Sequence, residues 1–257
     1  MENNLDVTAN FDMDLMGEFF KEMERQGPGD NNETLRALQF IPSLSENSFI
    51  LDIGCGTGMQ TMVLAKHTPC QILATDLIPG MINHLEEKVE KEQLGNRVKC
   101  MVASMDCLPL EDESFDVIWA EGSIFIIGFE KGMKEWRKFL KPGGYIAVTE
   151  ACWFTNSRPK EIEDYWKSMY PGIDTVDATI RVMEEAGYKA VAHFMLPELC
   201  WTDNYYVSMA KRIKEYEELS ISNEAVKTLI DCLRTEIDMY EKYKAYYGYV
   251  FFIGQKL

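Results

Sequence analysis

The sequence predicts an α/β fold: a doubly wound, seven-stranded, mostly parallel sheet with helices on both faces. Three observations carry that expectation. From residue 49 onward, apolar strand-like runs alternate with helical patterns, and parallel strands need such crossover connections. The first of these runs, "FILDIG", passes directly into Gly54, Gly56 and Gly58 and then into a helix. Hydrophobic residues make up 46% of the 257, enough to bury a sizeable interior.

The elements follow in order. Over 13–24, "MDLMGEFFKEME" places Leu15, Phe19, Phe20 and Met23 at roughly helical spacing. Gly27, Pro28 and Gly29 break that helix, and Asp30 with Glu33 resembles a capping box for a second. The strand-like runs are "FILDIG", "QILATD", "VKCMVASMD", "FDVIWAEGS", "GGYIAVTEACWF", "YKAVAHFML" and "YGYVFFIGQKL". Helical patterns run to about His67 and through "PGMINHLEEKVEKEQLG" and "FEKGMKEWRKFLKP". Before the last strand Ser222 is placed to cap a helix from about Asn223 to Tyr246. Two segments exceed a plain α/β unit, 153–175 and the tyrosine-rich 197–247, and both read as additions over one sheet edge. The expected organisation is one domain: an N-terminal helical cap (1–45), a core (46–155) and a C-terminal half (156–257) carrying a helical insertion (197–247).

Charge and composition narrow the function. Lys and Arg total 26 against 42 Asp and Glu, a net charge of -16 that repels polyphosphate backbones and anionic lipid. The expectation is no nucleic acid partner and no membrane. Seven cysteines without a C-x-x-C pair, and three histidines, favour reduced thiols over a disulfide scaffold or a zinc site, so no metal is expected. "MENNLDVTANFDMD" has no basic region followed by an apolar stretch, and no apolar run reaches the length of a membrane span. These readings point to a cytoplasmic protein whose partner is a small molecule, with the assembly left open between a monomer and a homodimer.

The glycine-rich stretch carries a family likeness. A dinucleotide fingerprint, G-x-G-x-x-G, would place glycine at 59, where Met59 stands. Asp52-Ile53-Gly54-Cys55-Gly56-Thr57-Gly58 instead resembles the first motif of class I S-adenosylmethionine-dependent methyltransferases. Together with "LPLEDESFDVIWAEGS" and "LKPGGYIAVTE" it is most similar to the small-molecule branch that includes ubiquinone and menaquinone biosynthesis enzymes. The resemblance covers roughly 45–155. It implies a Rossmann-like sheet whose last strand is antiparallel, and S-adenosyl-L-methionine as cofactor.

The resemblance also implies site residues. Asp52, Gly54, Gly56 and Gly58 would cradle the cofactor, and Asp76, ending the second strand, would bind the ribose hydroxyls, because a carboxylate accepts two hydrogen bonds at once. Ser104, Met105 and Asp106 would lie near the adenine, with Asp106 accepting from its amino group and Leu77 and Met105 enclosing the ring. Plainer readings stand beside these: a structural turn for the glycines, a helix cap for Asp76 and a solvated turn for Asp106.

Methyl transfer from a sulfonium is an in-line displacement, so the protein mainly aligns the reactants and excludes water. Glu121, at the carboxyl end of the fourth strand, is the candidate catalytic base, or else binds the cofactor or caps the next helix. Arg25 is placed either to meet the donor's methionine carboxylate or to lie in solvent. Phe11, Phe20, Trp153, Phe154, Trp201 and Tyr205 suit an apolar acceptor. Two other functions remain open: a nucleotide-dependent oxidoreductase on a Rossmann-type sheet, which Met59 opposes, and a non-catalytic S-adenosylmethionine-binding module using 197–247 as a partner surface.

Overall fold

The structure is a computed structural model that describes residues 12–42 and 44–257. Phe11, among the aromatics considered for the acceptor, lies outside the described residues. Eight strands form one sheet: β1 (Phe49–Ile53), β2 (Gln71–Asp76), β3 (Val98–Val102), β4 (Phe115–Ala120), β5 (Leu140–Trp153), β6 (Asp174–Thr175), β7 (Tyr188–Met195) and β8 (Tyr247–Lys256). Their order is β3-β2-β1-β4-β5-β8-β7, and the two-residue β6 pairs with β5. The seven expected strands are all present, β6 being the addition, and β8 runs antiparallel to both β5 and β7.

Burial of the central strands explains their composition. Strands covered by helices on both faces read as continuous apolar runs rather than as an alternation. In β1 only Phe49 is exposed, and β8 is buried along nearly its whole length. Side chains of β4 then alternate between two cores. Val117 and Trp119 join the core shared with α3 (Met59–His67) and α4 (Pro79–Lys91). Ile118 and Ala120 join the one built with α5 (Phe129–Trp136) and α7 (Val176–Glu185), as does Phe115, which a register irregularity before Val117 takes out of the alternation.

The N-terminal helices cover the first of these faces. α1 (Met13–Phe20) packs on α4, and α2 (Asn31–Leu38) packs on α3. α3 is therefore enclosed nearly all round, with residues 60–65 buried, and lacks the one-sided pattern of a surface helix. α1 stops at Phe20, earlier than the apolar spacing suggests. Asp30 caps α2 by accepting from the Asn32 N–H, but the Glu33 carboxylate turns to Arg36 at 3.3 Å instead of completing the box.

The additions pack together around aromatic rings. After α6 (Lys160–Met169), a short α8 (Leu199–Trp201) continues as a π-helical turn over Thr202–Tyr206 into α9 (Val207–Ser220), and α10 (Glu224–Tyr243) returns to β8. Trp201 stacks on Tyr240 at 4.4 Å and meets Tyr249 edge-on at 5.0 Å. Trp166 meets Tyr247 at 5.0 Å, linking α6 to the same cluster.

Asn223, not Ser222, caps α10. A cap residue needs extended backbone, and Asn223 has it (φ -129°, ψ 107°), its side chain accepting from the N–H groups of Ala225 and Val226. We expect Asn223→Ala to lower the unfolding free energy in urea by about 1 kcal/mol, and Ser222→Ala to change it by less than about 0.5 kcal/mol.

Candidate active site at the carboxyl edge of the sheet

A cavity of about 1010 Å³ opens at the carboxyl ends of the parallel strands, where open α/β sheets bind ligands. Gly54, Gly56, Asp76, Leu77, Ser104, Met105 and Asp106 line one part of it, and Arg25 and Glu121 line the middle. Asp52 and Gly58 do not reach it.

Asp52 departs from its expected place. It is fully buried behind the loop, where its carboxylate accepts from the Thr61 hydroxyl at 2.5 Å and the Gln60 amide at 3.3 Å. Burial pushes its carboxyl up to about 7. It ties β1 to the first turn of α3, which fixes the angle at which the loop leaves the strand.

The glycines serve neighbours within the protein. A Cβ on Gly54 (φ +70°) would lie 2.5 Å from the Ser123 Cβ, one on Gly56 (φ +54°) would strike the Gln26 side chain, and one on Gly58 (φ +86°) would strike Leu85. The loop's N–H groups are also occupied. Those of Gly54 and Cys55 donate to Thr75 O, Gly56 to the Asp76 carboxylate at 2.9 Å, Thr57 to Gln26 Oε1 at 3.0 Å, and Gly58 to Cys55 O. The donors of the loop itself are thus satisfied within the fold, while the N-cap Gly58 offers no side chain to the first turn of α3. Gln26, which no motif marks, clasps the loop from the N-terminal cap, its amide also donating to Met23 O at 2.8 Å.

Asp76 joins two elements. One oxygen accepts from Gly56 and the other from the Ile78 N–H at 2.9 Å, while burial raises its pKa and these backbone donors oppose the rise. Each oxygen retains accepting capacity toward the cavity. Beside it Leu77 is 53% exposed, an apolar surface left open at the cavity rim. Across from it the Ser104 hydroxyl accepts from the Asp106 N–H, the Asp106 carboxylate pairs with Lys131 at 2.7 Å, and Met105 O accepts from the Trp136 indole.

Arg25 and Glu121 meet each other. Their side chains are 8% and 5% exposed and lie 3.3 Å apart. The other Glu121 oxygen accepts from the Thr34 hydroxyl at 2.7 Å and the Trp119 indole at 2.9 Å, and Arg25 also donates to Asn31 at 2.8 Å. The carboxylate is thus held by three donors, two of them from the N-terminal cap. Of the expected acceptor aromatics, Phe20 and Tyr205 line the cavity, whereas Trp153, Phe154 and Trp201 are packed among the helices and strands around it.

Beyond this pair the cavity acquires a second chemical character. Glu150, Tyr170, Asp174, Tyr205 and Glu236 line its far part. β5 runs past the end of β4, so Glu150 projects above the sheet, paired in register with Val250 of β8. It is 3% exposed, and its Oε2 has no hydrogen-bond partner. Burial pushes Glu150 up to about 8 and Glu236, which accepts from Tyr206 at 3.2 Å, up to about 7. The π-helical turn sets Tyr205 on the cavity wall and Tyr206 on Glu236, a use such turns often have. One signal for Glu150 was present: a charge inside the otherwise apolar "YIAVTEACW". Glu236 carries none, being one of many charged residues on a helix.

Among the described residues no group of three or more histidine, cysteine or acidic side chains could hold a metal ion, and no helix is long and apolar enough to cross a membrane. All seven cysteines are free thiols, Cys107 being exposed.

Comparison with known proteins adds the following. Residues 51–148 match the family model described as "Methyltransferase domain". The ubiquinone/menaquinone biosynthesis C-methyltransferase UbiE of Geotalea daltonii is 33% identical over 107 residues, which are 40% of this chain and 46% of that protein. The chain spans less than two thirds of the length of the curated relatives it matches. A SAM-dependent methyltransferase from Geobacter sulfurreducens, solved with S-adenosyl-L-homocysteine, superimposes with a TM-score of 0.79 at 16% identity, covering 93% of this chain and 96% of that one. The [4+2]-cyclase SpnF superimposes at 0.74 with 18% identity, covering 98% and 95%. The fold is therefore that of the S-adenosylmethionine-dependent methyltransferases.

Three raised carboxyls set a pH dependence. Unfolded, Asp52, Glu150 and Glu236 lose their protons near 3.8 to 4.5; folded, near 7 to 8. The folded chain therefore holds extra protons between those limits, and stability falls as pH rises through them. We expect a lower melting temperature at pH 9 than at pH 5.5, and a shallower decline in Asp52→Asn, by calorimetry of the ligand-free protein.

Proposed function

We propose that this chain, whose residues 51–148 match a methyltransferase domain, is a class I, S-adenosylmethionine-dependent methyltransferase that transfers a methyl group to a small-molecule acceptor. The observation that carries the reading is the single cavity joining the Gly54/Asp76 part to the Glu150/Glu236 part across Arg25 and Glu121. A donor in the first part and an acceptor in the second would share one continuous space.

The residues present fit the cofactor. Asp76 keeps accepting capacity for the ribose hydroxyls, and Leu77 and Met105 offer apolar surface to the adenine ring. Ser104 and Asp106 supply polar edges beside it. Arg25 is the cation placed for the methionine carboxylate, while Glu121, already holding three donors, positions Arg25 rather than taking a proton. S-adenosylmethionine supplies, when bound, a methyl group activated by a sulfonium. The chain's contribution is alignment and the exclusion of water, for which the cap and the C-terminal helices close the cavity.

The same geometry counts against a dinucleotide. Pyrophosphate binding at a glycine turn uses free N–H donors, and those of residues 54–58 are all occupied. We expect S-adenosyl-L-homocysteine, but not NAD or NADP, to raise the melting temperature. Asp76→Ala should weaken S-adenosyl-L-homocysteine by about ten- to a hundredfold in calorimetry, as lost hydrogen bonds to a charged group imply. Unchanged affinity in the folded variant contradicts the site. Tight cofactor binding without methyl transfer to any small molecule contradicts the activity and favours a binding or cyclase-like role on this fold.

A further inference from the structure

We propose that the acceptor is an amine, bound as its ammonium by Glu150, which then takes a proton from it; this rests on the methyltransferase reading above. Three features of the far part of the cavity support it. First, its charged groups are of one sign. Of the two cations lining the cavity, Arg25 is paired with Glu121 and Lys131 with Asp106. Glu150, Asp174 and Glu236 face the space with no cation among them. A phosphorylated or carboxylated acceptor would find no cation there to answer its charge. Second, Glu150 Oε2 is buried, borders the cavity and accepts no hydrogen bond of good geometry, the Tyr170 phenol lying beside the carboxyl and leaving accepting capacity toward the cavity. Such an atom is costly unless a ligand donates to it. Third, Phe125, Tyr170 and Tyr205 line the walls around it, and aromatic faces attract a cation once water is excluded.

The proton accounting is consistent with this use. Burial holds the Glu150 carboxyl up to about 8, so near neutral pH it carries a proton that an arriving ammonium displaces to solvent. In the closed cavity an ammonium N–H bond then breaks: the proton passes to Glu150 Oε2 and the electron pair stays on nitrogen. That pair forms the N–CH3 bond as the S–CH3 bond of the methyl sulfonium donor breaks, its electrons returning to sulfur. The product leaves as an N-methylammonium and Glu150 keeps the proton it took, which restores its starting state; the one proton released when the ammonium bound balances charge and atoms. The titratable groups that face Glu150 are Tyr170 after α6, Tyr249 on β8, Cys152 on its own strand and Asp174 on β6, none of them cationic.

The test uses the full chain saturated with S-adenosyl-L-homocysteine and a panel of arylalkyl amines of graded size, each matched by the alcohol and the carboxylate of the same skeleton. At pH 7 we expect amines alone to bind, with release of about one proton per amine, read by calorimetry in buffers of different ionisation enthalpy. Glu150→Gln should lose that proton release and weaken amines at least tenfold while leaving S-adenosyl-L-homocysteine affinity intact. Glu236→Gln, elsewhere in the cavity lining, should weaken amines less and keep most of the proton release. Alcohols or carboxylates binding as well as amines, no amine binding at all, or Glu150→Gln binding amines like the parent protein, each overturns the proposal. Loss of S-adenosyl-L-homocysteine binding in the parent protein would instead overturn the methyltransferase reading itself.

Discussion

The site depends on one carboxylate. Glu121 sits where β4 ends, and its two oxygens collect donors from Trp119 on the sheet and from Arg25 and Thr34 on the N-terminal cap. Removing such a buried charge from water is costly, and the geometry repays it only while all three donors stay in place. The cap is thereby fixed to the sheet edge, which in turn holds Gln26 over the glycine loop. Glu121 joins the cap to the fourth strand, and Gln26 joins the cap to the loop.

A second constraint acts from the opposite end of the chain. β5 outruns β4, and the extension is held between β8 on one side and the short β6 on the other. Rings from α6, α8, α10 and β8 pack around it, so a carboxylate that would otherwise reach solvent is enclosed at the cavity wall. The helical insertion is thus a structural requirement for the chemistry of Glu150, because the raised pKa arises from burial.

Much of the architecture was legible in the sequence because parallel strands buried on both faces leave uninterrupted apolar runs, and glycines at φ > 0 mark the turn after β1. Asp76, Leu77 and the Ser104–Asp106 loop could be placed because they follow strand ends at a regular interval. The rest of the site is built by pairings distant in sequence. Arg25 and Glu121, or Gln26 and Thr57, meet only after the cap has docked, and no local pattern encodes that encounter. Asp52 was misplaced for a related reason: the motif identifies the residue but not the direction of its side chain, which Thr61 and Gln60 draw inward. Ser222 and Asn223 differ by one residue, a margin that backbone dihedrals decide and composition does not.

The strand order has a kinetic meaning. β8 lies between β5 and β7, yet the whole helical insertion separates it from β7 along the chain. Until that segment has collapsed and returned, β7 has no neighbour and β5 keeps an open edge, each displaying unpaired main-chain groups. Closing so long a loop is an entropic hurdle met before any pairing rewards it. The stacking of Trp201 on Tyr240 joins the beginning and the end of that insertion, so the contact that closes the long loop is carried by side chains beside the strand it delivers.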